Sequence, residues 1–223
     1  MKRTLWIIGT PLDDTGTLPA AAVEAIAGCA LIVGETRKAT MRLLAHSGLR
    51  LPEDRFLFLD HEPPKKEIVS QLKGATGNVA LLSDTGMPIL FDPGADVLEA
   101  ARAIGFAIRT LPAATSWGTA CALSGFAPPF LIHGFLPQKA PDRLAALQNI
   151  KPLKLNVVLL DTPYRFQTLL EESIKVFGGK QEAFLAWEIA RAGEWYGWGT
   201  VNELAKAPLP KKGEFILILK RLT

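Results

Sequence analysis

The chain has 223 residues, 48% of them hydrophobic and 21% charged, with 25 basic and 22 acidic side chains and a net charge of +3. That apolar share with so little net charge excludes a disordered chain, and 19 Gly and 16 Pro scattered without a period exclude a collagen-like or low-complexity one. The near-balance of charge argues against a dedicated polyanion binder, and the length suits one large domain or two small ones that need no disulfides.

Residues 4–8 are a short apolar run that stops at Gly9-Thr10-Pro11, the pattern of a buried strand closing in a turn. Pro19 opens an alanine-rich helix that ends at Gly28, as helix punctuation requires. A strand over 31–33 and a helix over 36–46 follow, then a short strand at 56–59 and a helix at 65–72. The strand at 79–82 ends abruptly at Ser83-Asp84-Thr85-Gly86, a helix spans 95–104 and stops at Gly105, and a strand at 107–111 closes at Pro112. Strands alternating with helices of this length predict βαβ units and a mainly parallel sheet.

Beyond a helix at 115–123, Ser124-Gly125 and Pro128-Pro129 mark the expected division into domains 1–125 and 126–223. Strands are predicted at 130–133, 156–160 and 183–187, with helices at 141–149 and 166–176. The runs 194–198 and 214–220, separated by a short helix at 201–206, follow so closely that antiparallel pairing and a mixed second sheet are expected. Lys2 and Arg3 precede an apolar run too short for a signal peptide, and no stretch approaches the ~18 apolar residues of a membrane span. The expectation is a soluble cytoplasmic chain with no membrane partner. Cys29 and Cys121 read as packing residues, and His46, His61 and His133 are too dispersed for a zinc site, so no metal is expected.

Ligands of open α/β sheets bind beyond the carboxyl ends of the strands. Three turns there combine small residues with hydroxyls or carboxylates: Gly9-Thr10-Pro11-Leu12-Asp13-Asp14, Ser83-Asp84-Thr85-Gly86-Met87-Pro88 and Pro112-Ala113-Ala114-Thr115-Ser116. Ordinary βα turns use the same residue types. The glycine fingerprints of dinucleotide and P-loop sites are missing, as is a nucleophile elbow. Taken alone, the residues lead to a two-domain α/β enzyme with a small-molecule site between its domains.

In order along the chain, Gly9-Thr10-Pro11, Glu35-Thr36-Arg37, Ser83-Asp84-Thr85-Gly86-Met87-Pro88 and Asp92-Pro93-Gly94 resemble the tetrapyrrole methylase family, most closely its branch of bacterial small-subunit rRNA ribose 2′-O-methyltransferases. Gly134-Phe135-Leu136-Pro137, Thr162-Pro163-Tyr164-Arg165, Gly199-Thr200 and Lys211-Lys212-Gly213-Glu214-Phe215 continue the match, which runs from about Leu5 to Leu219. The resemblance implies two α/β domains with S-adenosyl-L-methionine in the cleft between them, and a homodimer. It implies that Pro11 lies against the cofactor and that Ser83, Asp84, Thr85, Gly86, Pro88 and Ile89 approach its methionine portion. Thr115 and Ser116 would close the other side, and Leu160, Asp161, Ile189 and Ala190 would wall the adenine. Methyl transfer from a sulfonium is a direct displacement governed by positioning. A hydroxyl acceptor calls for a general base, for which Glu35, Asp13 and Asp14 are the candidates, with Arg37 to contact a phosphate or pair with one of these carboxylates.

The implied acceptor is rRNA or the small ribosomal subunit. The alternatives are a tetrapyrrole or other small-molecule acceptor, a nucleotide-using α/β enzyme of another class, or a catalytically silent binding module. Asp13-Asp14 stands where the branch has Gly-Asn, adding negative charge to a loop expected near the acceptor. Ala113-Ala114 replaces a glycine, Tyr164 stands in place of the branch's histidine, and Glu188-Ile189-Ala190-Arg191 takes the place of Arg-Glu-Leu-Thr. Longer members continue into a helical segment beyond the last strand, so a chain of 223 residues is expected to hold the catalytic core alone.

Overall fold

The computed structural model describes residues 2–13 and 15–221. The chain divides between Thr115 and Ser116 into two compact units.

The first unit runs β1 (Thr4–Ile8), α1 (Ala20–Ala27), β2 (Cys29–Gly34), α2 (Arg37–His46), β3 (Phe56–Phe58), α3 (Lys65–Gly74), β4 (Asn78–Leu82), α4 (Ala95–Ile104) and β5 (Ala107–Leu111). The sheet has the order β3-β2-β4-β1-β5, and each neighbouring pair is parallel. Parallel strands covered on both faces need apolar side chains in both directions, which is why β4 reads as a nearly continuous apolar run. Val79 and Leu81 meet Ile68, Leu72, Val97 and Ala101 of α3 and α4. Ala80 and Leu82 point the other way, to Ala22, Ile26 and Leu44 of α1 and α2. Fully burying each larger side chain of these layers is worth about 1.5–3 kcal/mol. The helix ends follow local chemistry: the Thr36 hydroxyl accepts from the Ala39 amide to cap α2, and Gly105 (φ 96°) closes α4 in the left-handed conformation that favours glycine.

The second unit runs α5 (Ser116–Ser124), β6 (Phe130–Phe135), α6 (Ala140–Ile150), β7 (Asn156–Leu160), α7 (Phe166–Phe177), β8 (Glu182–Trp187), β9 (Trp195–Thr200), α8 (Val201–Leu204) and β10 (Phe215–Leu219). Its sheet has the order β6-β7-β10-β8-β9, with β6 and β7 parallel and the other pairs antiparallel, so it is the mixed sheet expected. One face packs Leu159, Leu185, Trp187 and Leu217 against Leu147, Leu169, Leu170 and Val201 of α6, α7 and α8. The other packs Val158, Phe184, Ala186, Ile216 and Ile218 against Ala120 of α5. That contact puts α5 in the second unit, so the units part earlier than the expected division at Phe126. The apolar residues of α5 carry no local sign of which sheet they will cover.

Both cysteines are free. Cys29 is buried, its thiol donates to the Ala25 carbonyl at 3.1 Å, and burial pushes its pKa up to about 11. Cys121 packs at the edge of the α5 core. Among the described residues, no group of His, Cys, Asp and Glu is arranged to hold a metal ion, and no helix is long and apolar enough to cross a membrane.

Candidate functional site

At the carboxyl edge of the first sheet, the turns after β1, β4 and β5 are fastened to one another. The Thr10 amide donates to the Gly86 carbonyl at 2.8 Å, and the Gly86 amide returns a bond to the Thr10 carbonyl at 3.2 Å. The buried Thr10 hydroxyl donates to the same Gly86 carbonyl, and the buried Ser83 hydroxyl donates to the carbonyls of Thr85 and Gly86. Gly9 binds the Leu111 carbonyl, and a Cβ at Gly9 would lie 2.5 Å from the Ala113 nitrogen and 2.7 Å from the Met87 sulfur. Glycine is required there because the backbones after β1 and β5 pass within contact distance. Gly86 (φ 75°) and Pro88 are buried in this junction, whereas Pro11 and Thr85 are partly exposed at its rim.

Beyond Pro88 the same loop is strained. Ile89 (φ 78°) and Phe91 (φ 70°) hold left-handed backbone conformations, which are outliers for β-branched and bulky residues and cost about 1–3 kcal/mol each. Such strain persists only where the surroundings over-determine it, and it concentrates at binding sites.

Three carboxylates gather at the ends of β2 and β4. The Asp84 amide donates to Glu35 Oε2 at 2.9 Å, and the Thr36 amide and hydroxyl donate to the Asp84 carboxylate at 2.8–3.1 Å. Partial burial raises the pKa of Glu35; the Asp84 amide opposes that shift and the Asp84 charge adds to it. Asp92 lies in the field of both and is pushed up to about 7, chiefly by burial and then by Glu35 and Asp84. A carboxyl raised to about 7, as that of Asp92 is, can hold or accept a proton under physiological conditions.

The structure treats the other acid–base candidates differently. Asp13 Oδ1 accepts from the Thr15 amide and hydroxyl, an exposed local turn that holds its carboxyl below the ordinary aspartate range and makes it a poor base. Asp14 lies outside the described residues. Arg37 pairs with Glu53, at 2.6 Å, instead of with Glu35 or Asp13, because α2 carries it to the exposed surface facing the 3-10 turn Glu53–Arg55.

In the second unit, Leu160 and Ile189 share the sheet face covered by α5, and Ser116 begins that helix. Ala190 (φ 62°) is exposed, with its amide held by Glu194. Thr115, the last residue of the first unit, is partly exposed. Asp161 is buried, and its Oδ1 accepts from the Thr162 amide at 2.6 Å and from Arg165 Nε at 2.6 Å. Asp161 is therefore an anchor for Arg165 before it is anything else.

Three features take their meaning only from tertiary contacts. Asp92 stood in a motif but acquires its environment only when β2 and β4 pair. Arg143 and Glu172, 29 residues apart, form a buried bidentate pair at 2.6–2.7 Å, and Arg143 Nη1 also donates to the Pro137 and Gln138 carbonyls. The third is a bulge in β6, where the register with β7 slips between Ile132 and Gly134 and leaves His133 without a partner position.

The family model of tetrapyrrole (corrin/porphyrin) methylases matches residues 4–205. The ribosomal RNA small subunit methyltransferase I of Pseudomonas aeruginosa is 32% identical over 213 residues, spanning 92% of this chain and 71% of the relative. Its counterpart in Haemophilus influenzae is 31% identical over 223 residues, spanning 97% and 78%. The crystal structure of uroporphyrin-III-C-methyltransferase from Thermus thermophilus, 17% identical, superposes with a TM-score of 0.61 over 97% of this chain and 94% of that one, a likeness of fold.

Proposed function

This chain belongs to the tetrapyrrole (corrin/porphyrin) methylase family and is a methyltransferase, and from that premise we propose that its methyl donor is S-adenosyl-L-methionine and its acceptor a ribose 2′-hydroxyl of small-subunit rRNA. The observation that carries the donor is the junction of the turns after β1, β4 and β5, where small residues and backbone groups meet beside an acidic set. Carboxylates suit a ligand that bears a sulfonium and an ammonium, and the small residues let it approach the backbone. The relatives named as ribosomal RNA methyltransferases support the acceptor.

Pro11, Ser83, Asp84, Thr85, Gly86, Pro88, Ile89 and Thr115 of the first unit, with Ser116, Leu160, Asp161, Ile189 and Ala190 of the second, are the residues proposed to hold the donor. When bound, it supplies an electrophilic methyl group that moves by direct displacement. Glu35 takes up the hydroxyl proton, and Asp92 beside it keeps the pair from carrying full charge until the proton is needed. Thr36 and the Asp84 amide orient the two carboxylates they touch. Arg37 exchanges its exposed partner Glu53 for an acceptor phosphate, a swap that is cheap because exposed pairs are worth ~0–1 kcal/mol.

We further propose that the enzyme works in the cytoplasm as a homodimer. The edge strand β9 carries Trp198, 57% exposed with its ring 5.0 Å from that of Phe184, while Trp195 and Tyr196 pack inward. Sedimentation equilibrium tests the dimer; a monomer at micromolar concentration contradicts it. Calorimetric titration with S-adenosyl-L-methionine and S-adenosylhomocysteine tests the donor: micromolar binding is expected, and no heat at millimolar ligand contradicts the reading.

A further inference from the structure

The second unit has a cavity of about 470 Å³ beside the carboxyl ends of β6 and β7. Its wall combines Phe135, Leu136 and Pro137 with the polar side chains of His133, Gln138 and Arg165. The local sequence builds this wall in an unusual way. The bulge in β6 makes His133 the extra, unpaired residue, and Gly134 (φ 77°) supplies the left-handed step that a bulge of this kind needs. Bulges re-aim side chains, and here the imidazole lines the cavity. Its Nδ1 is buried and has no hydrogen-bond partner among the described residues, a capacity that a ligand meets once the ring turns toward the cavity.

The polar wall is pre-set. Buried Asp161 grips Arg165 through Nε and one Nη, leaving the remaining guanidinium donors for something else. Buried Arg143, itself fixed by Glu172, binds the carbonyls of Pro137 and Gln138 and holds that rim of the cavity in place. Exposed aromatic rings accompany the lining residues along the chain. Phe135 is 50% exposed, and Tyr164, one residue before Arg165, is 72% exposed with Lys212 Nζ 4.5 Å from its ring centroid.

Exposed rings interleaved with cations, next to a cavity that offers a buried hydrogen-bonding edge, match the way proteins take single-stranded RNA. Bases stack on aromatic faces, cations meet phosphates, and one base edge is read inside a pocket. We propose that this cavity receives an unpaired nucleotide of the acceptor RNA, with its base against Phe135, its edge bonded by His133, and its strand continuing over Tyr164 and Lys212. The inference rests on the RNA-acceptor reading and deepens it by naming where the substrate strand is gripped, at a distance along the chain from the proposed donor residues of the first unit.

The test measures methyl transfer from labelled S-adenosyl-L-methionine to small ribosomal subunits isolated from a strain that lacks this protein. Wild type is compared with Phe135→Ala, Tyr164→Ala, His133→Ala and Phe135→Trp. Thermal melts and calorimetry with the donor run beside it, to show that each variant folds and binds donor as wild type does. Phe135→Ala should raise KM for the subunits about five- to hundredfold, the range for losing one base–aromatic stack, with kcat within about twofold. Tyr164→Ala and His133→Ala should raise KM by smaller factors, and Phe135→Trp should restore it. If wild type methylates the subunits and the folded alanine variants keep the wild-type KM, the cavity is not the RNA grip and the inference is overturned while the RNA reading stands. If wild type transfers no label to the subunits, the RNA reading itself fails and the inference falls with it.

Discussion

The strand ends of the two units carry opposite chemistry. In the first unit they present carboxylates, Glu35 and Asp84 held by a backbone amide and Thr36, with Asp92 beside them; in the second they present Arg165, held by Asp161 four residues before it, with His133 and exposed rings. The first arrangement joins turns far apart in sequence, Glu35-Thr36 to Asp84 and Thr10 to Gly86, that parallel strand pairing brings side by side. The second depends on partners such as Arg143 and Glu172 that meet only after α6 and α7 pack. An acidic edge suits a cationic donor and a basic, aromatic edge suits a polyanion, which is the contrast on which the two proposals rest.

The contrast can be broken most severely from the second unit. Glu172→Ala leaves Arg143 buried without its partner, and losing one member of such a pair costs about 3–5 kcal/mol. Urea unfolding should show that loss, and a change below ~1 kcal/mol would mean that the rim is not held this way. In the first unit the comparable damage is steric. Gly9→Ala forces a methyl group against the Ala113 backbone, which should destabilise by about 1–3 kcal/mol and weaken donor binding well beyond that seen with Glu172→Ala. Equal donor affinity in the two variants, read by calorimetry, would erase the division of labour between the units.

A pH series sharpens the acidic side. Asp92 is raised from 3.8 to about 7, so the folded state binds its proton more tightly than the unfolded chain does. The protonated form therefore stabilises fully below pH 3.8, and that contribution is lost as pH rises towards about 7, with Glu35 shifted in the same direction. Wild type should lose melting temperature between pH 5 and 8, and Asp92→Asn should flatten that fall. Parallel curves for the two proteins would remove Asp92 from the cluster. The smallest effect is expected at Arg37→Ala: stability should change by no more than ~0.5 kcal/mol, because its pair with Glu53 is exposed, while KM for RNA rises.

The same division explains what could be read from the residues alone. Strands such as Thr4–Ile8 and Asn156–Leu160 are apolar runs ended by turn residues, so their limits follow from local pattern. The three turns of the first-unit junction were legible for the same reason, since glycine and hydroxyl residues announce a close backbone approach. The placement of α5 was not, because its apolar residues fit either sheet. The partner of Arg37 was not legible, because Glu35 and Thr36 face the carboxylate cluster while the helix turns Arg37 outward to Glu53. His133 looked like a dispersed histidine, since a bulge is a property of strand pairing and leaves no mark on one strand.

The central claim, donor on the acidic edge and RNA as acceptor, is tested most directly by mapping the product. Purified protein is incubated with labelled S-adenosyl-L-methionine and small ribosomal subunits from the deletion strain; one portion of the rRNA is digested to nucleosides to identify the modified one, and another is kept intact and mapped by primer extension for its position. The account predicts one 2′-O-methylated nucleotide, absent from the deletion strain, whose formation is lost with Glu35→Gln. Label that stays out of the rRNA, or enters a base instead of a ribose, would contradict it.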